Sequence, residues 1–271
     1  SIVGICATST WLAFGVTKPY LGHRPCTGTL MFKKIADRYF AWERSLRDSF
    51  GDDIETPKGR FWAYVHFHLM DHAFFRVLWT NMREIVPDVY RSNQPSPRRI
   101  AKWKAKGIQT VVNLRGAPIQ SHGLLEDEAC KAAGIDMVCL KFGARHAPDK
   151  TLLLELFEIF DDLKVPAVFH CKSGADRAGF VSALYLNMVA GHPMEEAAKQ
   201  LSLRHLHVDF TPTGILDYVL RVYMERNRRS PISFRDWVIS EYDAPTVHHG
   251  YQDRIMWSET VDKLQGLTPA V

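Results

Sequence analysis

Val168-Phe169-His170-Cys171-Lys172-Ser173-Gly174-Ala175-Asp176-Arg177-Ala178-Gly179 decides how this chain folds and what it can do. The apolar run ending at Phe169 reads as a buried strand. Phe180-Val181-Ser182-Ala183-Leu184-Tyr185-Leu186 reads as a buried helix. Between them lies a tight loop that feeds a helix N-terminus. Such a loop turns several backbone N–H groups into one concavity and adds the positive end of the helix dipole. The result is an anion site of phosphate size.

The side chains of the loop suit that site. Thiols beside helix N-termini ionise below their ordinary value of about 8.5. The thiolate is a nucleophile that needs no separate base, so Cys171 is the candidate nucleophile. Arg177, at the helix start, can turn its planar fork over the loop and clamp two phosphate oxygens. Gly174 allows a backbone conformation that other residues resist, and Ala175 leaves the mouth open. Together they support in-line attack of sulfur on phosphorus and a cysteinyl-phosphate intermediate.

His170-Cys171 followed, after five residues, by Arg177 resembles the His-Cys-x5-Arg signature of cysteine-dependent phosphatases. That group includes protein tyrosine phosphatases, dual-specificity phosphatases and their lipid-phosphatase relatives. The resemblance covers roughly residues 85–230. It implies that Cys171 is the nucleophile and Arg177 the phosphate clamp. The backbone amides of Lys172, Ser173, Gly174, Ala175, Asp176 and Arg177 become the cradle, and His170 orders the loop. One departure concerns turnover. Most members carry Ser or Thr after the arginine to help the thiolate leave the phospho-enzyme, and here that position is Ala178.

The surrounding sequence alternates strands and helices. Strands are expected at Val89–Pro95, Thr110–Leu114 and Asp136–Phe142, and helices at Pro97–Lys106, Leu125–Ala133 and Thr151–Leu163. Further helices are expected at Met194–Leu203 and Thr213–Arg228. The pattern implies an α/β fold: a central, mostly parallel sheet flanked by helices, with helical N- and C-terminal extensions. The division is 1–84 for the N-terminal extension, 85–230 for the catalytic domain and 231–271 for a C-terminal extension that packs on the core. The active site is expected at the carboxyl ends of the strands.

The leaving group needs a proton donor. The resemblance implies an Asp on a loop upstream of the nucleophile, and Asp149 is the only carboxylate in Gly143–Lys150. Asp149 also suits the N-cap of the following helix. The rival is Asp176, because myotubularin-type lipid phosphatases carry an Asp just before the loop arginine. His146 or water completes the set of donors.

Basic residues bear on the substrate. Lys172 resembles the second positive charge found in several lipid and inositol phosphatases, and Arg145 and His146 are expected to overhang the same pocket. Arg115 and Arg91 either face the site or pin the loop through buried ion pairs, the latter for Arg91 above all. The resulting expectation is a phosphotyrosine or dual-specificity protein phosphatase. The alternative is a phosphoinositide or phospholipid phosphatase, and another class is a non-catalytic phosphate-binding module. No metal or organic cofactor is expected.

With 271 residues, 46% hydrophobic and 24% charged, the chain has ordinary globular composition. A net charge of +4 suits an anionic substrate but is too weak to argue for nucleic acid. Five cysteines at irregular spacing give neither a disulfide framework nor a zinc pattern, which points to the cytoplasm. Cys139 is a candidate partner for reversible oxidation of Cys171, or simply a small strand residue. The apolar run 2–16 reads as a buried strand or docked arm, with membrane attachment as the alternative. Helices are expected over 33–50 and 60–85. The second holds His66, His68, Asp71 and His72, whose roles are packing and surface contacts rather than metal ligation.

Overall fold

The computed structural model describes residues 49–267, together with Arg38, Ala41 and Ser45. The apolar run at 2–16, Cys6, Cys26 and most of the helix expected over 33–50 lie outside the described residues. Of the two units into which the chain divides, residues 1–46 and 47–271, the second holds every element that follows.

Five strands form one sheet: β1 (Arg83–Val86), β2 (Val89–Asn93), β3 (Thr110–Asn113), β4 (Asp136–Cys139) and β5 (Ala167–Cys171). Their spatial order is β1-β2-β5-β3-β4. The pairs among β2, β5, β3 and β4 are parallel, and β1 runs antiparallel to β2 at the edge. The helices in chain order are α1 (Pro57–Val65), α2 (Phe75–Leu78), α3 (Pro97–Ala105), α4 (Ser121–Ala133), α5 (Lys150–Asp161) and α6 (Asp176–Met188). After them come α7 (Met194–Ala197), α8 (Ile215–Arg229), α9 (Phe234–Ser240), α10 (Ala244–Gln252) and α11 (Trp257–Leu264). The α/β architecture with helical flanks is as the sequence implies.

The period of two along each strand sorts the core into two layers. Val111 and Val168 face one way and pack with Ile100, Trp103 and Cys130 under α3 and α4. Val112, Phe169 and Cys171 face the other way and pack with Phe160, Phe180 and Tyr185. On that side α6 is buried continuously from Ala178 to Leu186, sandwiched between the sheet and the later helices. Both faces are covered, as a parallel sheet requires. The alternation has a consequence for the site: His170 must point toward the α4 side and Cys171 toward the α6 side. The register aligns Asn93 with Cys171 and Asn113 with His170, so the loop leaves the sheet at its carboxyl edge.

Two expectations need correction. The helix over 60–85 is broken: α1 ends at Val65, a wider turn spans His66–Met70, and β1 occupies the end of the range. His72 takes a left-handed φ of +57°, which no helix continues. The tertiary cause is Asp71, which is drawn into ion pairs with Arg76 and Arg115. The helix expected over Met194–Leu203 is only the single turn α7 followed by tighter turns through His205.

The C-terminal helices share the main core. Phe234, Trp237, Val238, Tyr242, Val247 and Val261 are buried in the same cluster as Phe157 and Phe169. Trp237 is fully buried, and its ring lies 5.5 Å from Tyr223, 5.5 Å from Phe234 and 5.1 Å from Tyr242. Trp237→Ala is expected to lower the unfolding free energy by about 3–5 kcal/mol. Urea denaturation measures it, and a midpoint equal to wild type would mean that α9 is not part of the cooperative unit.

Candidate active site

The loop between β5 and α6 is shaped by where its carbonyls go. The Lys172 carbonyl accepts from Gln94 N–H at 3.3 Å, and that of Ser173 from Asn81 Nδ2 at 3.2 Å. The Gly174 and Ala175 carbonyls accept from Arg91 Nη2 at 2.6 and 3.0 Å. A trans peptide points its N–H opposite to its C=O. Tying the carbonyls outward therefore turns the amides of Ser173, Gly174, Ala175 and Asp176 inward, although Ala175 N–H also lies 3.3 Å from Ser173 Oγ. Gly174 sits at φ +72°, and a Cβ there would come within 2.8 Å of Asn93 N and Ser92 O. Gly179 is needed for a different reason: a Cβ on it would press on Arg91 Nη2 and the Gln200 carbonyl.

Arg91 is wholly buried and also donates through Nη1 to the Gln200 carbonyl and Oε1 at 2.6 and 2.8 Å. Burial pushes its guanidinium down to about 10, which leaves it cationic at neutral pH. It pins the loop as expected, but through carbonyls rather than ion pairs, because carbonyls are what the loop presents on its outer side. Arg177 Nη1 donates to the carbonyls of Leu114 and Phe142 at 3.2 and 3.4 Å. Its remaining N–H groups make no bond to a described residue and are available to an anion.

His170 points to the α4 side, where its Nε2 lies 2.6 Å from Glu126 Oε1 in a fully buried contact. Glu126 Oε2 also accepts from Gln94 Nε2 at 2.7 Å and lies 3.3 Å from Asn113 Nδ2. Lys172 Nζ is 3.6 Å from Asp71 Oδ1. Asp71 pairs with Arg115 at 2.7 Å and with Arg76 at 2.5 Å. Burial opposes its ionisation, but the Arg115 hydrogen bond and the surrounding positive charge hold its carboxyl well below the ordinary range. Arg115 is thus committed to Asp71 and to Gln94 Oε1 rather than standing free over the site.

The two acid candidates separate. Asp176 Oδ1 is 2.7 Å from His207 Nδ1, and His207 Nε2 is 2.6 Å from Asp217 Oδ2. Burial raises the Asp176 carboxyl, but the His207 hydrogen bond and charge outweigh it and hold it below the ordinary range. A carboxylate so bound is held in its anionic form and anchors the start of the helix. Asp149 is exposed and takes the N-cap backbone conformation before α5, yet its side chain makes no capping bond. The loop carrying it is docked on the C-terminal helices: Tyr242 Oη donates to the Pro148 carbonyl at 2.7 Å, and Lys150 Nζ donates to the Ile239 carbonyl. Arg145 and His146 are exposed on the same loop, with the His146 ring 5.0 Å from that of His248.

Cys139 is not a partner for Cys171. It lies on β4 and Cys171 on β5, with β3 between them. Two strand spacings are roughly 9.5 Å, beyond the Cα separation of about 7 Å that a disulfide tolerates. Burial pushes the Cys139 thiol up to about 11. His66 is buried, with Nδ1 2.7 Å from Ser121 Oγ. No group of three or more His, Cys, Asp or Glu side chains among the described residues could hold a metal ion. Nor is any described helix long and apolar enough to cross a membrane.

Glu126, His207, Asp217 and Asn81 were not among the expected site residues, and Asp71, expected in a packing or surface role, instead pairs with Arg76 and Arg115 beside the loop. A carboxylate inside the mostly buried face of α4 was a visible signal for Glu126. Nothing local marked the others.

His207 is almost fully buried; burial opposes its charge, but hydrogen bonds to Asp176 and Asp217 raise it to about 9 from 6.5. The folded state therefore favours the imidazolium. Its stabilisation is complete below pH 6.5 and is lost as pH rises through about 9. Relative to His207→Gln, the wild type should lose up to roughly 3 kcal/mol across that window. Urea titrations of both proteins across it measure the effect, and a pH-independent difference would remove His207 from the anchoring role.

A family model described as "DSP-PTPase phosphatase fused to NAD+ Kinase" matches residues 79–212. The dual specificity protein phosphatase TpbA of Pseudomonas aeruginosa is 23% identical over 180 residues, covering 61% of this chain and 78% of the relative. The crystal structure of P. aeruginosa TpbA is similar with a TM-score of 0.41 and 21% identity, over 54% of this chain and 91% of that one. The core catalytic domain of the PP-IP phosphatase SIW14 from S. cerevisiae is similar with a TM-score of 0.41 and 15% identity, over 57% and 96%. Residues 79–212 thus match the superfamily of cysteine-dependent protein tyrosine and dual-specificity phosphatases, and the protein is a phosphatase.

Proposed function

We propose that the protein hydrolyses phosphomonoesters on proteins, phosphotyrosine foremost, through a cysteinyl-phosphate on Cys171. The observation that carries this reading is the loop whose carbonyls are tied outward to Gln94, Asn81 and Arg91. Its inward amides and Arg177 meet the charge that develops on the equatorial oxygens of a transferring phosphoryl group. Sγ forms the S–P bond as the P–O bond to the leaving group breaks. Asp149, on the docked loop beside α5, supplies the proton to the leaving oxygen. Water then hydrolyses the thiophosphate ester and returns the thiolate, a step that proceeds here without a hydroxyl at Ala178. A catalytic thiolate needs reducing surroundings, which favours the cytoplasm. The similarity to a dual specificity protein phosphatase supports a protein substrate.

A second reading, a phosphoinositide phosphatase, is favoured by one observation: Lys172, Arg115 and Arg76 gather beside the loop around the single carboxylate of Asp71 among the described residues.

Phosphate release from a phosphotyrosyl peptide and from a phosphoinositide, measured side by side, tests both. Cys171→Ser should abolish release, and Asp149→Asn should lower kcat by about 10²–10⁴-fold. Preference for the lipid selects the second reading. An unchanged rate in Asp149→Asn passes the donor role to His146 or water. No release from either substrate by folded, reduced wild type would leave only a phosphate-binding module.

A further inference from the structure

A cavity of about 810 Å³ lies between α3 and the segment from α1 to α2, and none of the catalytic-loop residues lines it. Its size falls in the range of small-ligand sites, about 300–1,000 Å³. Five cationic side chains line it, Arg76, Arg98, Arg99, Lys102 and Lys106, and no carboxylate does so among the described residues. Two buried acids touch its lining from behind: Asp71 is shared by Arg76 and Arg115, and Glu126 accepts from Gln94.

The arrangement on α3 is specific. Arg98 and Lys102, four residues apart, share one face of α3, and Lys106, the residue that caps its C-terminus, follows four further on. Like charges at that spacing repel, and α3 contains no acidic residue to offset them. All three are exposed, and their side chains make no hydrogen bond or ion pair with another described residue. Ser96, at the N-cap of α3, also lines the cavity and makes no side-chain capping bond. The positive end of the helix therefore adds to the same field.

Behind this stripe sit two arginines that are held but not satisfied. Arg76 stacks on Phe67 and Arg99 on Trp103, at 5.5 Å in each case. The Nε of each is buried and without a hydrogen-bond partner. Burial pushes both guanidiniums down, so an added anion would stabilise their charged forms. The wall opposite α3 offers flat rings: Tyr64 and His68 are exposed at the rim. Unpaired cations on one wall and exposed rings on the other suit a ligand with a phosphorylated end and a planar end.

The geometry points to a binding site for an organic polyphosphate of mononucleotide size, separate from the catalytic loop. The phosphates lie along Arg98, Lys102 and Lys106, and the planar body packs on Tyr64 and His68. This site does not depend on the substrate proposed for Cys171.

Isothermal titration of the full chain with adenosine 5′-(β,γ-imido)triphosphate tests it, with pyrophosphate as the second probe. One site is expected in wild type and equally in the double variant Cys171→Ser/Arg177→Met. Arg98→Glu/Lys102→Glu should weaken binding at least tenfold while retaining turnover of para-nitrophenyl phosphate. If that variant does not fold, Lys102→Ala/Lys106→Ala takes its place with the same expectation. Binding lost in Cys171→Ser/Arg177→Met but kept in the α3 variants would put the nucleotide in the catalytic loop and overturn the proposal. So would the absence of binding to wild type. Pyrophosphate binding as tightly as the nucleotide would overturn the role given to the planar body.

Discussion

The buried guanidinium of Arg91 is the contact on which the catalytic loop depends. It lies on β2 in register with Phe169 of β5, so both side chains fall on the α6 side of the sheet. From there it reaches under the loop and draws two consecutive carbonyls away from the concavity. Burying a cation costs several kcal/mol unless its N–H groups are satisfied; four acceptors meet Nη1 and Nη2 here, and only Nε is left without a partner among the described residues. Gly174 and Gly179 are consequences of that arrangement: one lets the backbone turn against β2, and the other leaves space for the guanidinium.

Charged groups from distant segments steady the loop on both flanks. On one side Asp71, from the turn after α1, neutralises part of the charge of Lys172, Arg76 and Arg115. On the other, His207 bridges Asp176 at the start of α6 to Asp217 in α8. Beneath them Glu126 of α4 meets His170. The loop is thus anchored from most of the elements around it. The C-terminal helices contribute differently, by seating the segment that carries Asp149 through Tyr242 and Lys150. The flanking segments are therefore part of the site's support and of the core, as the burial of Trp237 also indicates.

Much of this was legible along the chain. The strand–loop–helix around Cys171, the order of strands and helices, and the stop of α4 at Gly134, which adopts φ +60°, follow from local pattern. The break in the helix expected over 60–85 is not legible locally, because periodicity does not register the ion pairs of Asp71 with Arg76 and Arg115. The position of Asp176 beside Arg177 is visible in the sequence, whereas its contact with His207, thirty-one residues later, exists only once the chain has packed.

The sequence by itself determined the cradle. A cysteine and an arginine at the ends of a glycine-containing loop, between a buried strand and a buried helix, specify an anion-binding loop, because backbone amides and a helix N-terminus converge there whatever surrounds them. Tertiary structure decided which carboxylate stays tied as an anion, which remains exposed on a docked loop, and which cations are already paired. Those outcomes turn on burial and on contacts between segments far apart in the chain, and the energy of a charge is set by its neighbours and its access to water, which no local pattern encodes.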